Sequence, residues 1–153
     1  MKRRGIFVLI FFVTLGGCDP RVSLAVRQRL LPNPSTDCLG SALTSSPDVA
    51  EATRLKREYG QDIFWVVLRD STAKGGQRTV TVTRLAPPDS GGKVEMHFVW
   101  IGLRRPAKAE EHAVIGLGNR VLARLRDACA PHTPTPVECD YNDGHVWHCE
   151  QTV

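Results

Sequence analysis

The sequence lacks the short motifs that mark common kinds of active site. It contains no Gly-x-Ser-x-Gly segment, which excludes the nucleophile elbow of the α/β-hydrolases. Gly116-Leu117-Gly118 has no strand pattern before it and no third glycine at the spacing of a phosphate-binding loop. The chain also has no internal repeat. These absences favour a protein that has no catalytic residue and no cofactor.

A hydrophobic run long enough to cross a membrane is also missing. The longest run, residues 6–13, is much shorter than the roughly 20 residues of a spanning helix. Basic residues at 2–4 precede it and small residues follow it, as in a secretory signal peptide. Leu15-Gly16-Gly17-Cys18 then resembles the lipobox of bacterial lipoproteins. The resemblance implies that residues 1–17 are a signal peptide and that Cys18 is lipidated.

The same resemblance implies a location. A lipid anchor would hold the protein at a cell membrane, with its domain facing the periplasm or the cell exterior. Asp19 follows the cysteine, which in enteric lipoproteins is linked to the inner membrane, but the choice between inner and outer membrane stays open. An ordinary cleaved signal followed by a free cysteine is the alternative. Lipidation is favoured, because a lone exposed thiol in an oxidising compartment is reactive.

Little net charge remains once residues 1–17 are removed. The full chain has 20 basic and 16 acidic side chains, and three basic ones lie in residues 2–4, which leaves 17 against 16. This balance predicts no binding of nucleic acid. Residues 18–36 contain several prolines and are predicted to be a lipid-anchored tether. Its middle, residues 22–31, would either contact anionic lipid or pack on a single domain formed by residues 37–153.

Cysteine usage gives the second strong signal. Four cysteines remain besides the lipidated one, and an even number in an exported protein predicts disulfides. They are Cys38, Cys129, Cys139 and Cys149, and four cysteines permit three pairings. If the chain runs out and back, Cys38 would meet Cys129, and Cys139 and Cys149 would join the arms of a tail hairpin.

The residue pattern predicts an antiparallel meander followed by a long helix. Residues 63–69, 78–85 and 93–103 are β-branched or alternating, and glycine-rich or proline-rich turns separate them. Residues 106–129 repeat apolar side chains at helical spacing. The tail, residues 137–151, is predicted to form a short hairpin.

The segment 37–59 is predicted to be mostly helical. Asp37 would cap a short first helix, and Ser46-Pro47-Asp48 is typical of a second helix start. A strand over residues 49–58 is the alternative. The predicted fold is therefore α+β, a disulfide-stapled antiparallel sheet of three to four strands with helices on one face. The sheet would pack on the helices through Val80, Val82, Met96, Phe98 and Trp100.

Two groups of residues are candidates for metal binding or catalysis. The tail contains Cys139, Asp140, Asp143, His145, His148 and Cys149. Its Cys-x5-His-x2-His-Cys pattern is not a standard zinc spacing, so no metal site is predicted and a disulfide is favoured. His97 and His112 are the other candidates. Neither belongs to a nucleophile, base and acid constellation in the sequence, so both are predicted to be surface histidines.

The first predicted strand, residues 63–69, is apolar on both faces. Its face formed by Phe64, Val66 and Leu68 must be covered by another element or by a partner. The sequence thus favours a membrane-anchored envelope lipoprotein that is not an enzyme. It would bind another envelope protein or support an assembly. A periplasmic protein that binds a metal or small ligand through the tail Cys/His cluster is the alternative.

Overall fold

A computed structural model of the chain describes residues 21–55, 61–85, 92–101, 104–132, 136–142 and 146–149. The elements are β1 (Arg21–Arg29), α1 (Thr36–Thr44), β2 (Val49–Arg54), β3 (Asp62–Arg69), β4 (Gln77–Arg84), β5 (Lys93–Ile101), α2 (Lys108–Cys129), β6 (Glu138–Tyr141) and β7 (Val146–His148). The strands form one antiparallel sheet in the order β2-β3-β4-β5-β1-β6-β7. The α+β prediction is confirmed, but the sheet has seven strands rather than three to four.

The strand β1 lies inside the sheet, where the sequence predicted a tether. It pairs with β5 over its whole length and with β6 on its other side. Leu24 and Val26 are fully buried, whereas Arg27 and Arg29 point away from the core. The tether prediction is therefore wrong from Arg21 onward. The arginines that suggested a surface segment occupy the solvent side of a strand whose other side is buried.

The segment after α1 is a strand and not a second helix. Ser35, rather than Asp37, caps α1, since its Oγ accepts a hydrogen bond from the Cys38 N–H at 3.2 Å. The Val49 N–H then donates to the Ser46 carbonyl at 3.1 Å, which closes a turn into β2. Pairing with β3 gives β2 backbone hydrogen bonds along one edge and buries Val49, and this outweighs the helix propensity of its alanines. The alternative prediction of a strand is therefore confirmed for residues 49–54, and residues 56–58 lie outside the described residues.

The two helices cover one face of the sheet. The predicted inner residues Val80, Val82, Met96 and Phe98 are all buried, and Trp100 packs at their edge. The predicted stripe of α2 is buried as well: Val114, Leu117, Val121 and Leu125. α2 crosses close to β1, because a Cβ at Gly118 would lie 3.2 Å from Val26 Cγ1. No helix in the described parts of the chain is long and apolar enough to span a membrane.

Two disulfides staple this arrangement with the predicted pairing. Cys38–Cys129 joins α1 to the last residue of α2, across a sequence separation of 91. Cys139–Cys149 closes the predicted tail hairpin, across a separation of 10. By the chain-entropy model the long link stabilises the fold by about 4–5 kcal/mol and the short one by about 3 kcal/mol.

Candidate functional site: the open face of the sheet

One face of the sheet carries neither of the two described helices. We call it the open face. It consists of the side chains on the central strands that point away from the helices, and its main members are Trp65, Thr81, Val99, Ile101, Arg27, Glu95, His97, Glu138 and Asp140.

The sequence leaves Phe64, Val66 and Leu68 to be covered by another element or by a partner. All three are 2% exposed or less, so another element covers them and they do not form an exposed binding face. They point toward the helices and form part of the core. Side chains alternate along a strand, and the neighbouring Trp65 therefore lies on the opposite, open face.

The open face exposes large apolar side chains. Trp65 is 49% exposed, Val99 48% and Ile101 83%. Thr81 lies between Trp65 and His97 in the sheet, since it pairs with Trp65 on one side and with His97 on the other. These three residues form one row across β3, β4 and β5, and Val99 lies two residues beyond His97 on the same face of β5.

A cluster of charged residues adjoins this apolar region. The Arg27 guanidinium lies 3.3 Å from a Glu138 carboxylate oxygen, 3.4 Å from Asp140 and 3.8 Å from Glu95. The register brings them together, because Arg27 pairs with Glu95 on β5 and with Glu138 on β6. One arginine is thus surrounded by three carboxylates that come from both of its neighbouring strands.

Glu95 is the most strongly perturbed acid of this cluster. His97 Nε2 lies 3.3 Å and Lys93 Nζ 3.2 Å from its carboxylate oxygens. The hydrogen bond from His97, helped by that from Lys93, outweighs the opposing effect of burial and lowers the pKa of Glu95 to about 2. Glu95 is therefore ionised at neutral pH and is poorly suited to act as a general acid.

Two further acids, on the core side, are structural. Asp62 is almost fully buried and accepts hydrogen bonds from Thr36 Oγ1 at 2.8 Å and from Arg84 Nε at 2.9 Å. Burial raises the pKa of Asp62, but the hydrogen bonds from Arg84 and Thr36 lower it by more. The pKa of Asp62 is therefore below its usual value. The pKa of Asp70 is lowered in the same way, because bonds from Thr72 and Arg78 outweigh its burial. The only signal of either in the sequence is an aspartate at each end of β3.

The candidate histidines that the structure describes, His97, His112 and His148, do not converge on a site. His112 and His148 are exposed on α2 and β7, whereas His97 contacts Glu95 on the open face. Asp143, His145 and the predicted lipidation site Cys18 lie outside the described residues. In the described ranges no three His, Cys, Asp or Glu side chains form a group that could hold a metal ion.

Two shallow depressions lie on the helical side. One, of about 330 Å³, lies between α1 and β2 and is lined by Gly40, Thr44 and Phe64 among others. The other, of about 210 Å³, lies between α2 and the turn after β3, and both of its arginines have partners. Arg69 donates to the Pro47 carbonyl at 2.7 Å, and Arg120 lies 3.0 Å from Asp48. No histidine lines either depression.

Comparisons with protein-family models, with curated proteins and with solved structures give no match for this chain. Its function must therefore be argued from its own surfaces.

Proposed function

We propose that the protein is an envelope lipoprotein. It is held at a membrane through Cys18 and works without catalysis, as a docking module for another envelope protein. The open face is the docking surface. The observation that carries this proposal is the half-exposed pair Trp65 and Val99 on a sheet face that neither described helix covers.

The composition of the open face supports a protein partner. Tryptophan is enriched at the centres of protein interfaces, because its large ring can be fully desolvated there. The ionic cluster around Arg27 lies next to this apolar region and offers charge complementarity, which favours correct partners and orientations. Its three carboxylates make a nucleic acid a poor occupant, because they would repel phosphates.

Two features support the anchor and the compartment. The basic start, the apolar run and Leu15-Gly16-Gly17-Cys18 together resemble a lipoprotein signal. The two disulfides, Cys38–Cys129 and Cys139–Cys149, fit an oxidising compartment outside the cytoplasm. The alternative function is a protein that binds a metal or small ligand through the tail. It is less favoured, because Cys139 and Cys149 form a disulfide and are not free thiolates.

The anchor is tested by replacing the lipidated residue. Cys18→Ala is expected to leave the signal peptide uncleaved or to release the protein from the membrane fraction. The parent protein should incorporate labelled palmitate and show the corresponding mass on the Cys18 peptide. Equal incorporation of palmitate into Cys18→Ala would contradict lipidation at this residue.

The docking surface is tested by affinity capture from solubilised native membranes. The full chain is compared with the variant Trp65→Ser/Val99→Ser and with the control Leu31→Ser. Leu31 is 47% exposed, much like the two test residues, but it lies beyond the end of β1 and outside the open face. We expect the double variant to lose a protein that the parent and Leu31→Ser both retain, with the unfolding midpoint unchanged. A partner retained equally by all three would contradict docking through the open face.

A further inference from the structure

The structure limits the distance between the proposed anchor and the folded domain. β1 begins at Arg21, three residues after Cys18. Three residues of extended chain span at most about 11 Å. If Cys18 is lipidated, as the proposed function requires, the start of β1 must therefore lie next to the membrane surface. No long tether can separate the domain from the lipid headgroups.

Basic side chains gather at this same end of the domain. Arg21 pairs with Ile101, the last residue of β5, and the chain then continues through Arg104 and Arg105 into α2. Lys108 is the first residue of α2. We call Arg21, Arg104, Arg105 and Lys108 the basic end; all four are exposed.

Several contacts fix the basic end against the start of β1. The Arg105 guanidinium lies 4.1 Å from the ring centroid of Tyr141, which pairs with Leu24 of β1. The Asn142 side chain donates to the Arg21 carbonyl at 3.2 Å. These contacts place the charges of the loop before α2 beside the residue from which the chain leaves toward Cys18.

The nearest described acids of α2 are hydrogen-bonded to side chains of the sheet. Glu110 accepts hydrogen bonds from Trp100 Nε1 at 2.8 Å and from Arg78 at 2.7 Å. Glu111 accepts a hydrogen bond from the Tyr141 hydroxyl group. Both carboxylates are therefore turned toward the sheet, whereas Lys108 points to solvent.

We propose that the basic end rests on anionic lipid headgroups of the membrane that anchors the chain. Basic side chains held at an anionic surface add to membrane attachment, and a second membrane contact makes a lipid anchor more durable. The exposed Ile101 beside these charges can enter the headgroup region, as apolar side chains do at membrane interfaces. This proposal rests on the proposed lipid anchor.

The test uses the full chain in nanodiscs made of phosphatidylcholine alone or of equal parts of phosphatidylcholine and phosphatidylglycerol. Hydrogen exchange is measured on peptides that cover residues 104–109. We expect exchange there to be several-fold slower in the anionic discs, and this protection to be lost at high salt. Arg104→Ser/Lys108→Ser should abolish the difference between the two lipids.

A matched control removes the same charge from the far end of α2. Arg124→Ser/Arg126→Ser should keep the lipid-dependent protection, because both residues lie in the part of α2 remote from Arg21. Equal exchange in both kinds of disc, or equal loss in both variants, would overturn the basic end as a lipid contact.

The mass of the Cys18 peptide from the same discs distinguishes a basic end that does not bind lipid from a chain that is not lipidated at Cys18. A modified Cys18 without lipid-dependent protection counts against the basic end alone. An unmodified Cys18 counts against the anchor. In that case the same comparison, with vesicles of the two compositions added to the chain, still decides whether the basic end binds anionic lipid.

Discussion

Glu95 shows how single residues shape the open face. It lies on the solvent side of β5, yet its side chain is only 14% exposed, because Lys93, His97 and Arg27 surround it. These neighbours hold its charge in place, and the charge in turn helps to orient Arg27 between β5 and β6. The ionic cluster is thus a fixed feature of the surface rather than a set of independent mobile side chains.

The lowered pKa of Glu95 predicts a pH-dependent stability. The folded value of about 2 lies below the ordinary 4.5, so the stabilisation is complete above about pH 4.5 and is lost as the pH falls toward 2. After allowing for solvent screening, Glu95→Gln should lower the free energy of unfolding by about 1–2 kcal/mol at pH 7 and by little at pH 2. Urea unfolding at several pH values measures this difference.

A control and a contrary result make this test specific. Glu51→Gln removes an exposed carboxylate from the edge strand β2 and should change the stability little at any pH. A loss from Glu95→Gln that is the same at pH 7 and pH 2 would show that the carboxylate is not stabilised by its ionised form.

At the level of elements, the junction between β1 and β5 depends on Gly92. This glycine has φ +81°, its carbonyl accepts a hydrogen bond from the Leu30 N–H at 3.1 Å, and a Cβ there would overlap the Leu30 carbonyl oxygen. Gly75, in the turn after β3, has a similar φ of +85° but open space around it. A side chain at Gly75 would therefore meet backbone strain alone, whereas one at Gly92 would meet both backbone strain and steric overlap.

Alanine substitutions at the two glycines should differ. Gly75→Ala is expected to cost about 1–2 kcal/mol, the usual penalty of a left-handed conformation for an L-residue. Gly92→Ala should cost at least about 1 kcal/mol more, because the Leu30 backbone must also move. Thermal unfolding of both variants measures the difference. Equal losses would mean that the backbone around Leu30 adjusts freely.

The sequence predicts these elements where the pattern is local. Residues 78–85 alternate strictly, and residues 106–129 repeat at helical spacing, so the pattern predicts β4 and α2. The pattern does not predict β1, because three arginines and the nearby prolines resemble a tether, and only pairing with β5 and β6 makes this segment a strand.

The sequence also does not predict which face of β3 stays exposed. Both faces of this strand are apolar, and alternation alone does not say which one the helices cover. The positions of α1 and α2 decide it, and these depend on contacts between residues far apart in the chain. The sequence pattern therefore offers Phe64, Val66 and Leu68 as the face to be covered and does not single out Trp65 and its neighbours.

At the scale of the whole molecule, the proposed anchor and the open face are compatible with one orientation of the domain on the membrane. β1 has nine residues and is about 30 Å long, and it begins at the end nearest to Cys18. The strands would then extend from the membrane surface, with the basic end against the lipid. The open face would stand to the side, within reach of a partner in the same membrane.

Docking of another envelope protein on the open face is tested by site-specific photo-crosslinking in intact cells. A photoreactive amino acid replaces Trp65 or Val99 in separate chains, and Arg124, exposed on α2, is the control position. We expect one discrete adduct, with the same partner, from positions 65 and 99 and none from position 124. An adduct with a single partner from position 124 and none from 65 or 99 would show that the chain works through its helical side.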